Sequence, residues 1–321
     1  MDRAGSSWRR KLWRGGSEYV GLAVVLGVLV GGFRIVAGRW VPFQLIMDQV
    51  PDTLICAVGM TFVLVIGAID LSVGSVLALS SGVLGVCVAQ ARLPLPLAIA
   101  ACLGVGLACG ALNGLVTIRW SLPSFIVTLG MLEMARGGAY LVTQMRTQHI
   151  GPKIKWVVET SLCGLPLAFL VALVIVGLGQ FVLSRTVFGR YAVAIGTNEE
   201  AVRLSGIDPR PVKLAVFMLC SGLTAVAAVM HTSRLGGADP NEGVGLELQV
   251  IAAVVIGGTS LMGGRGSVVA SLFGVLIIAV LGVGLNQLGA QEPVKRLVTG
   301  GVIIVAVIAD QYRQRLAARA R

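Results

Sequence analysis

Apolar runs of roughly 20 residues alternate with short polar connections along nearly the whole chain, and that length spans the hydrocarbon core of a bilayer as a helix. In lipid only helices and closed barrels satisfy their own backbone, and runs this long read as helices. The pattern predicts about ten transmembrane or partly re-entrant helices, near residues 19–38, 50–69, 71–91, 95–118, 122–142, 164–184, 211–232, 247–262, 267–288 and 293–309. The expected fold class is therefore an all-α polytopic membrane protein. The first run, Tyr19 to Phe33, lacks a small-residue cleavage site and is expected to remain as a span.

One polar interlude, SRTVFGRYAVAIGTNEEAVRLSGIDPRPV at 184–212, interrupts the pattern. Thr197 with Glu200 three residues on forms a capping-box signature for a short helix, and Gly206 supplies a left-handed stop. Glu199 and Arg203 are spaced i,i+4 in the favourable order. Ala201, Leu204 and Ser205 share a mildly apolar face. About two turns of helix are marginal alone in water, so this one is expected to lie against a partner.

Composition agrees with the pattern. Hydrophobic residues make up 56% of 321 and charged residues 13%, with a mean hydropathy of +0.88, against about 25% charged in a soluble domain. The net charge of +11 follows topology rather than a nucleic-acid footprint, and no nucleic acid is expected as a partner. An even number of spans puts both termini on one side, where 16 of the 26 Lys and Arg then fall, against nine on the other, with Arg136 inside a span. This positive-inside bias places the termini and the interlude in the cytoplasm. The chain then divides into a basic cytoplasmic segment (1–18), a single transmembrane domain (19–309) with a cytoplasmic loop at 185–210, and a basic cytoplasmic tail (310–321).

Two glycine-rich, polar segments, 63–84 and 254–276, align with each other. Val65-Ile66-Gly67 pairs with Val255-Ile256-Gly257, and after a two-residue insertion Ser75-Val76 pairs with Ser267-Val268. This reads as an internal repeat. Interrupted segments in matching places of two halves are where transporters put irregular backbone. Gly106, Gly110 and Gly114, by contrast, form a small-xxx-small ladder for close helix packing.

Little chemistry is present. Asp70 is the only charged residue between Thr53 and Ala91. It either caps the helix that follows or acts directly in transport. With Ser72, Ser75, Asn113, Ser124 and Asn286 it makes the candidate set for a translocation pathway, although Asn113 and Asn286 also suit plain interhelical hydrogen bonds. Glu133 and Arg136, at i,i+3, are expected to satisfy one another. The six cysteines are scattered, all but Cys163 lie in apolar runs, and only His149 and His231 could add imidazole. No metal site, cofactor or catalytic residue is expected. GGTSLMGGRGS resembles a phosphate loop, but Gly264 and Arg265 stand where the lysine and the hydroxyl belong.

GMTFVLVIGAIDLSVGSVLALSSGVLG, LNG at 112–114, LPSFIVTLGMLEMARGGAYLVT, GRYAVAIGTNEEAVRLSGI and ADPNEGVGLELQVIAAVVIGGTSLMGGRGS together resemble the permease subunits of ribose-type monosaccharide importers of the ATP-binding cassette superfamily. The resemblance covers residues 45–310. It implies a permease of the bacterial cytoplasmic membrane, surrounded by membrane lipid and working as a homodimer or with a paralogous permease. It also implies a cytoplasmic ATPase docked on the interlude and an extracytoplasmic sugar-binding protein on the outer loops. The ATPase-coupling candidates are then Gly196, Thr197, Glu199, Glu200, Ala201, Arg203 and Gly206. Glu200-Ala201-Val202 and Gly206 echo the E-A-A-x-x-x-G loop of other importer permeases, with Val202 departing at the second alanine. Ribose or another pentose is the substrate implied, with other monosaccharides as competitors. The chain itself is not an enzyme on this reading. A self-sufficient secondary carrier coupled to ions through Asp70 is the competing class.

Overall fold

The computed structural model describes the backbone of residues 4–18 and, with side chains, residues 19–151, 154–155, 160–162, 164–291, 293–302, 304–305 and 308. The expected tail lies outside these residues, as does Cys163. Helices occupy the apolar runs: α1 (Ala4–Ala37), α2 (Phe43–Val65), α3 (Val73–Ala89), α4 (Leu95–Arg119), α5 (Ser124–Thr143), α6 (Leu167–Arg185), α8 (Arg210–Leu235), α9 (Leu246–Ile256) and α10 (Val268–Gln287), with α7 (Val187–Leu204) in the interlude. Residues 293–302 are also helical. Seven of these helices are long and apolar enough to cross a membrane, whereas α3 and α9 are apolar but shorter. The described strands are two-residue pairs, Gln148–His149 against Gly237–Ala238 and Ser161–Leu162 against Leu165–Pro166, both antiparallel.

The bundle is built around α2, whose Leu54, Ile55, Met60, Phe62 and Leu64 are almost fully buried and which packs on α6, α8, α9 and α10. The glycine ladder of α4 meets α8 as its spacing requires. A Cβ on Gly106 would sit 2.6 Å from Ser221 O, and one on Gly110 would sit 2.6 Å from Phe217 O. Backbone thus meets backbone, which only small residues permit. Cys56, Cys102, Cys109 and Cys220 are free and buried.

Three helices end in the same way. Gly67 (φ +74°) donates to Leu64 O and Ala68 to Val63 O, at 2.9 and 3.0 Å, closing α2. Gly258 (φ +90°) and Thr259 repeat these bonds to Val255 O and Val254 O at the end of α9. Gly206 (φ +85°) and Ile207 repeat them to Arg203 O and Val202 O after α7. This is the Schellman geometry, and its left-handed position selects glycine. It corrects the register of the expected repeat: Gly67 corresponds to Gly258, not Gly257, and Ser267, before α10, stands where Ser72 stands before α3. Side-chain identity in an apolar alphabet is a weaker guide than the hydrogen bonds of the helix end.

Between α8 and α9 the chain is not helical. Gly237–Ala238 pairs with Gln148–His149 beside Gly85 of α3, and Gly243 then touches Gly74 at the other end of α3, where a Cβ on Gly74 would sit 2.1 Å from Gly243 O. Residues 236–245 therefore run the length of α3, and such backbone is tolerable at membrane depth only inside protein or beside water.

Candidate functional site

The coupling candidates gather at the end of the bundle where α2 finishes. α7 is two helices joined at Asn198, which is extended (φ −163°, ψ 97°). Asn198 Oδ1 accepts from Ala201 N at 3.0 Å and caps the second helix. Thr197 instead donates its hydroxyl to Val193 O, 2.8 Å away, completing the first. The cap expected at Thr197 is thus one residue late. Both residues are good caps, and the kink decides between them. The expected Glu199–Arg203 pair is also replaced. Arg203 bonds Glu200 at 2.9 Å, and Glu199 reaches Lys213 of α8 at 3.0 Å. Glu200, Ala201, Arg203, Leu204 and Ser205 are exposed, Leu204 at 81%, while Val202 is turned inward. Between this helix and the α4–α5 connection lies a cleft of about 560 Å³, lined by Thr117, Ser121, Arg203, Asp208 and Arg210 among others.

Gly196 fastens this element to the bundle. A Cβ there would lie 1.8 Å from Val65 O and 2.6 Å from Gly264 N, and Gly264 N itself donates to Val65 O at 2.9 Å. The end of α2, the kink of α7 and the loop after α9 therefore touch through backbone alone. The apparent phosphate loop is one side of this junction.

Just beyond, Asp70, Ser72, Asn113 and Ser124 come together. Asp70 Oδ1 accepts from Ser72 N at 2.9 Å and from Ser72 Oγ at 2.6 Å. Asn113 Nδ2 donates to Ser72 Oγ at 3.0 Å. Ser124 Oγ accepts from Ile69 N at 2.9 Å, and Thr128 Oγ1 accepts from Leu71 N at 3.1 Å. Asp70, Ser72, Asn113 and Thr128 are each 0% exposed, so the network fixes the shape of the 66–72 loop. Asp70 turns the chain into α3 through Ser72 N rather than capping deeper amides. Ser75 is buried in the first turn of α3. Asn286 is exposed at the far end of α10, beside Gln287, which bonds Trp40 O ahead of α2. The structure does not bring Asn286 to the set. Asp70→Ala removes the acceptor for two buried donors, each costing about 1–3 kcal/mol when stranded, whereas Asp70→Asn keeps one acceptor oxygen. Thermal unfolding in detergent is expected to fall much further for the alanine variant, and equal losses would contradict the network.

A second ionic cluster was not anticipated. His231 of α8 places Nδ1 2.6 Å from Asp52 Oδ2 of α2 and Nε2 3.0 Å from Glu242 Oε2. Arg234 reaches the same Asp52 oxygen at 3.0 Å. Both imidazole nitrogens face carboxylates, an arrangement that suits the doubly protonated ring. Arg136, expected to pair with Glu133, instead donates Nη1 to Pro240 O and Glu242 O, both at 2.7 Å. The extended 236–245 segment is thus held from α5 and α8. Half-buried Asp239 in the same segment accepts from Asn241 N and from Thr147 Oγ1, at 2.8 and 2.9 Å. The signal for this cluster was present, since Asp52 and His231 both lie within apolar runs.

The family model described as branched-chain amino acid transport system / permease component matches residues 44–307. The chain is 39% identical over 272 residues to a ribose import permease protein of Haemophilus influenzae, covering 83% of this chain and 84% of that protein. It is 34% identical over 304 residues to a fructose import permease protein of Rhizobium meliloti, covering 92% and 84%. It is also 37% identical over 262 residues to an L-arabinose ABC transporter permease protein of Azospirillum brasilense, covering 80% and 76%. No solved structure matches the chain. With seven helices fit to cross a membrane and a match running through most of its length, this multi-pass protein of the bacterial inner membrane belongs to the family of transport-system permease components, alongside these sugar import permeases.

Proposed function

We propose that the chain is the pore-forming subunit of an ATP-driven importer of a simple sugar, with a pentose such as ribose as the first candidate. The observation that carries this reading is the exposed, capped helix after Asn198, fastened through Gly196 to the end of α2 while its outer face stays open. In this reading α7 and both termini are cytoplasmic, as the Lys/Arg bias favours. A separate ATPase docks on Glu200, Ala201, Arg203 and Leu204, and a sugar-binding protein docks on the opposite face. A second copy or a paralogous permease completes the path. ATP binding moves α7, and the backbone junction passes that movement to the 66–72 loop and α9. Such switching requires differential contacts in two states; the tight junction is what transmits the movement between them.

An ion-coupled carrier is less well supported, because Asp70 is wholly enclosed and its Oδ1 is taken by Ser72. Vesicles holding the chain with its ATPase and binding protein are expected to take up D-ribose, D-fructose or L-arabinose only with ATP. Gradient-driven uptake by the chain alone would overturn the reading. Glu200→Lys places two like charges at i,i+3 on the exposed face. The ATPase is expected no longer to co-purify, while unfolding temperature stays unchanged, because Glu200 is 61% exposed and bonds only Arg203. Normal co-purification would remove this helix as the docking site.

A further inference from the structure

Glu133 lies near the middle of α5, the position most costly for a charge if it faced lipid, and yet it is exposed on the surface of the subunit. It is not hydrogen-bonded to Arg136, whose guanidinium is spent on Pro240 O and Glu242 O. Gly130 and Gly137, about one turn to either side on the same face, have open space where a Cβ would go. One turn further, Tyr140 OH donates to Asn241 Oδ1 at 3.0 Å, and both groups are accessible at the surface. Arg136 sits about one turn from both Glu133 and Tyr140 on α5, so one cation stands behind this polar patch. α6 shows what a lipid face looks like in this protein: Val174, Leu178 and Phe181 stand 59–61% exposed, with no polar side chain among them.

We propose that Glu133, Tyr140 and Asn241, backed by Arg136, form the wall of the translocation path that a neutral polyhydroxylated solute touches at mid-membrane. The proposal rests on the sugar-importer reading and deepens it. A carboxylate accepts hydrogen bonds from two neighbouring hydroxyls of one sugar ring, and a phenol and an amide add a donor and an acceptor about two turns further along the path. The two glycines leave a shallow groove in which a ring can lie. A neutral ligand fits because the patch already balances its own charges through Arg136. The enclosed residues around Asp70 then shape the loop beneath the path instead of lining it.

The test is cysteine accessibility in the complete importer reconstituted in vesicles, with the wild-type background subtracted. Glu133→Cys and Tyr140→Cys are compared with Leu178→Cys, using a membrane-impermeant, negatively charged methanethiosulfonate reagent. Thiolate chemistry needs water, so both path variants are expected to label at least about tenfold faster than Leu178→Cys. Whichever of D-ribose, D-fructose and L-arabinose drives uptake in the same vesicles is expected to slow that labelling. Glu133→Cys reacting no faster than Leu178→Cys, while the wild-type complex still imports sugar, would overturn the wall and leave the importer reading intact. Fast labelling without ATP-driven uptake by the wild type would keep a water-lined wall and sink the importer. Fast labelling that the transported sugar leaves unchanged would overturn the sugar contact.

Discussion

Gly196→Ala is expected to uncouple the protein and destabilise it by about 3 kcal/mol, the upper range for overpacking a site that cannot relax. The new methyl would stand 1.8 Å from Val65 O, and neither that carbonyl nor Gly264 N, 2.6 Å away, is the end of a flexible side chain. Relief requires the kink of α7 to withdraw from the seam that Gly264 N and Val65 O close, 2.9 Å apart. Gly177→Ala is the control. Nothing lies within 4 Å of its Cβ position in α6, so helix propensity alone acts there and favours alanine by about 1 kcal/mol. Unfolding temperature in detergent and ATP-driven uptake in vesicles are expected to fall for Gly196→Ala and hold for Gly177→Ala. Equal behaviour of the two would show that the junction is neither tight nor a transmission point.

Asp52→Ala is expected to cost about 3–5 kcal/mol, the range for removing one partner of a buried ion pair. The carboxylate holds both His231 and Arg234, which lie 3.1 Å apart across Nδ1 and Nη2. Without it two cationic groups face each other in a nearly closed site, since the Asp52 and His231 side chains are 8% and 15% exposed. His231 in turn steadies Glu242, so the 236–245 segment loses an anchor as well. Glu199→Ala makes the comparison, because its pair with Lys213 is solvated on the Glu199 side, at 47% exposure, and such pairs contribute about 1 kcal/mol or less. Chemical unfolding of both variants is expected to separate them clearly. Similar losses would reduce the cluster to an ordinary surface pairing.

What could be read from the chain was whatever short-range physics decides. The apolar runs became helices because run length and backbone satisfaction demand it, and Gly206 stopped α7 because its left-handed turn involves only neighbours. The cap slipped from Thr197 to Asn198 because two adjacent residues can each cap, and only the kink against α2 distinguishes them. Partners distant in sequence could not be read. Lys213 took Glu199 from Arg203 because α8 folds back beside α7, and carbonyls over 100 residues away took Arg136 from Glu133. Asp52 and His231 lie in apolar runs 179 residues apart, so their pairing is equally a product of the packing of α8 on α2. Among the candidate pathway residues, Asp70, Ser72, Asn113 and Ser124 did meet, since polar groups in an apolar interior have few other partners. Their burial is a property of tertiary packing, and spacing carries no trace of it.

The brevity of α9 bears on how the protein is made. Eleven residues carry a helix about 16 Å, roughly half of the hydrocarbon core. The ten residues before it are not helical and take part of their backbone pairing from Gln148–His149 and Ile150, partners that lipid cannot replace. A stretch of this kind cannot leave the insertion machinery sideways as a helix of its own. It needs α3 for its extended part and α10 for its apolar face, and α10 is synthesised after it. Residues 236–256 are therefore expected to settle only after the chain beyond 268 has arrived, which pulse-chase protease protection of truncated chains would show. The segment closest to the proposed sugar path is then among the last to settle.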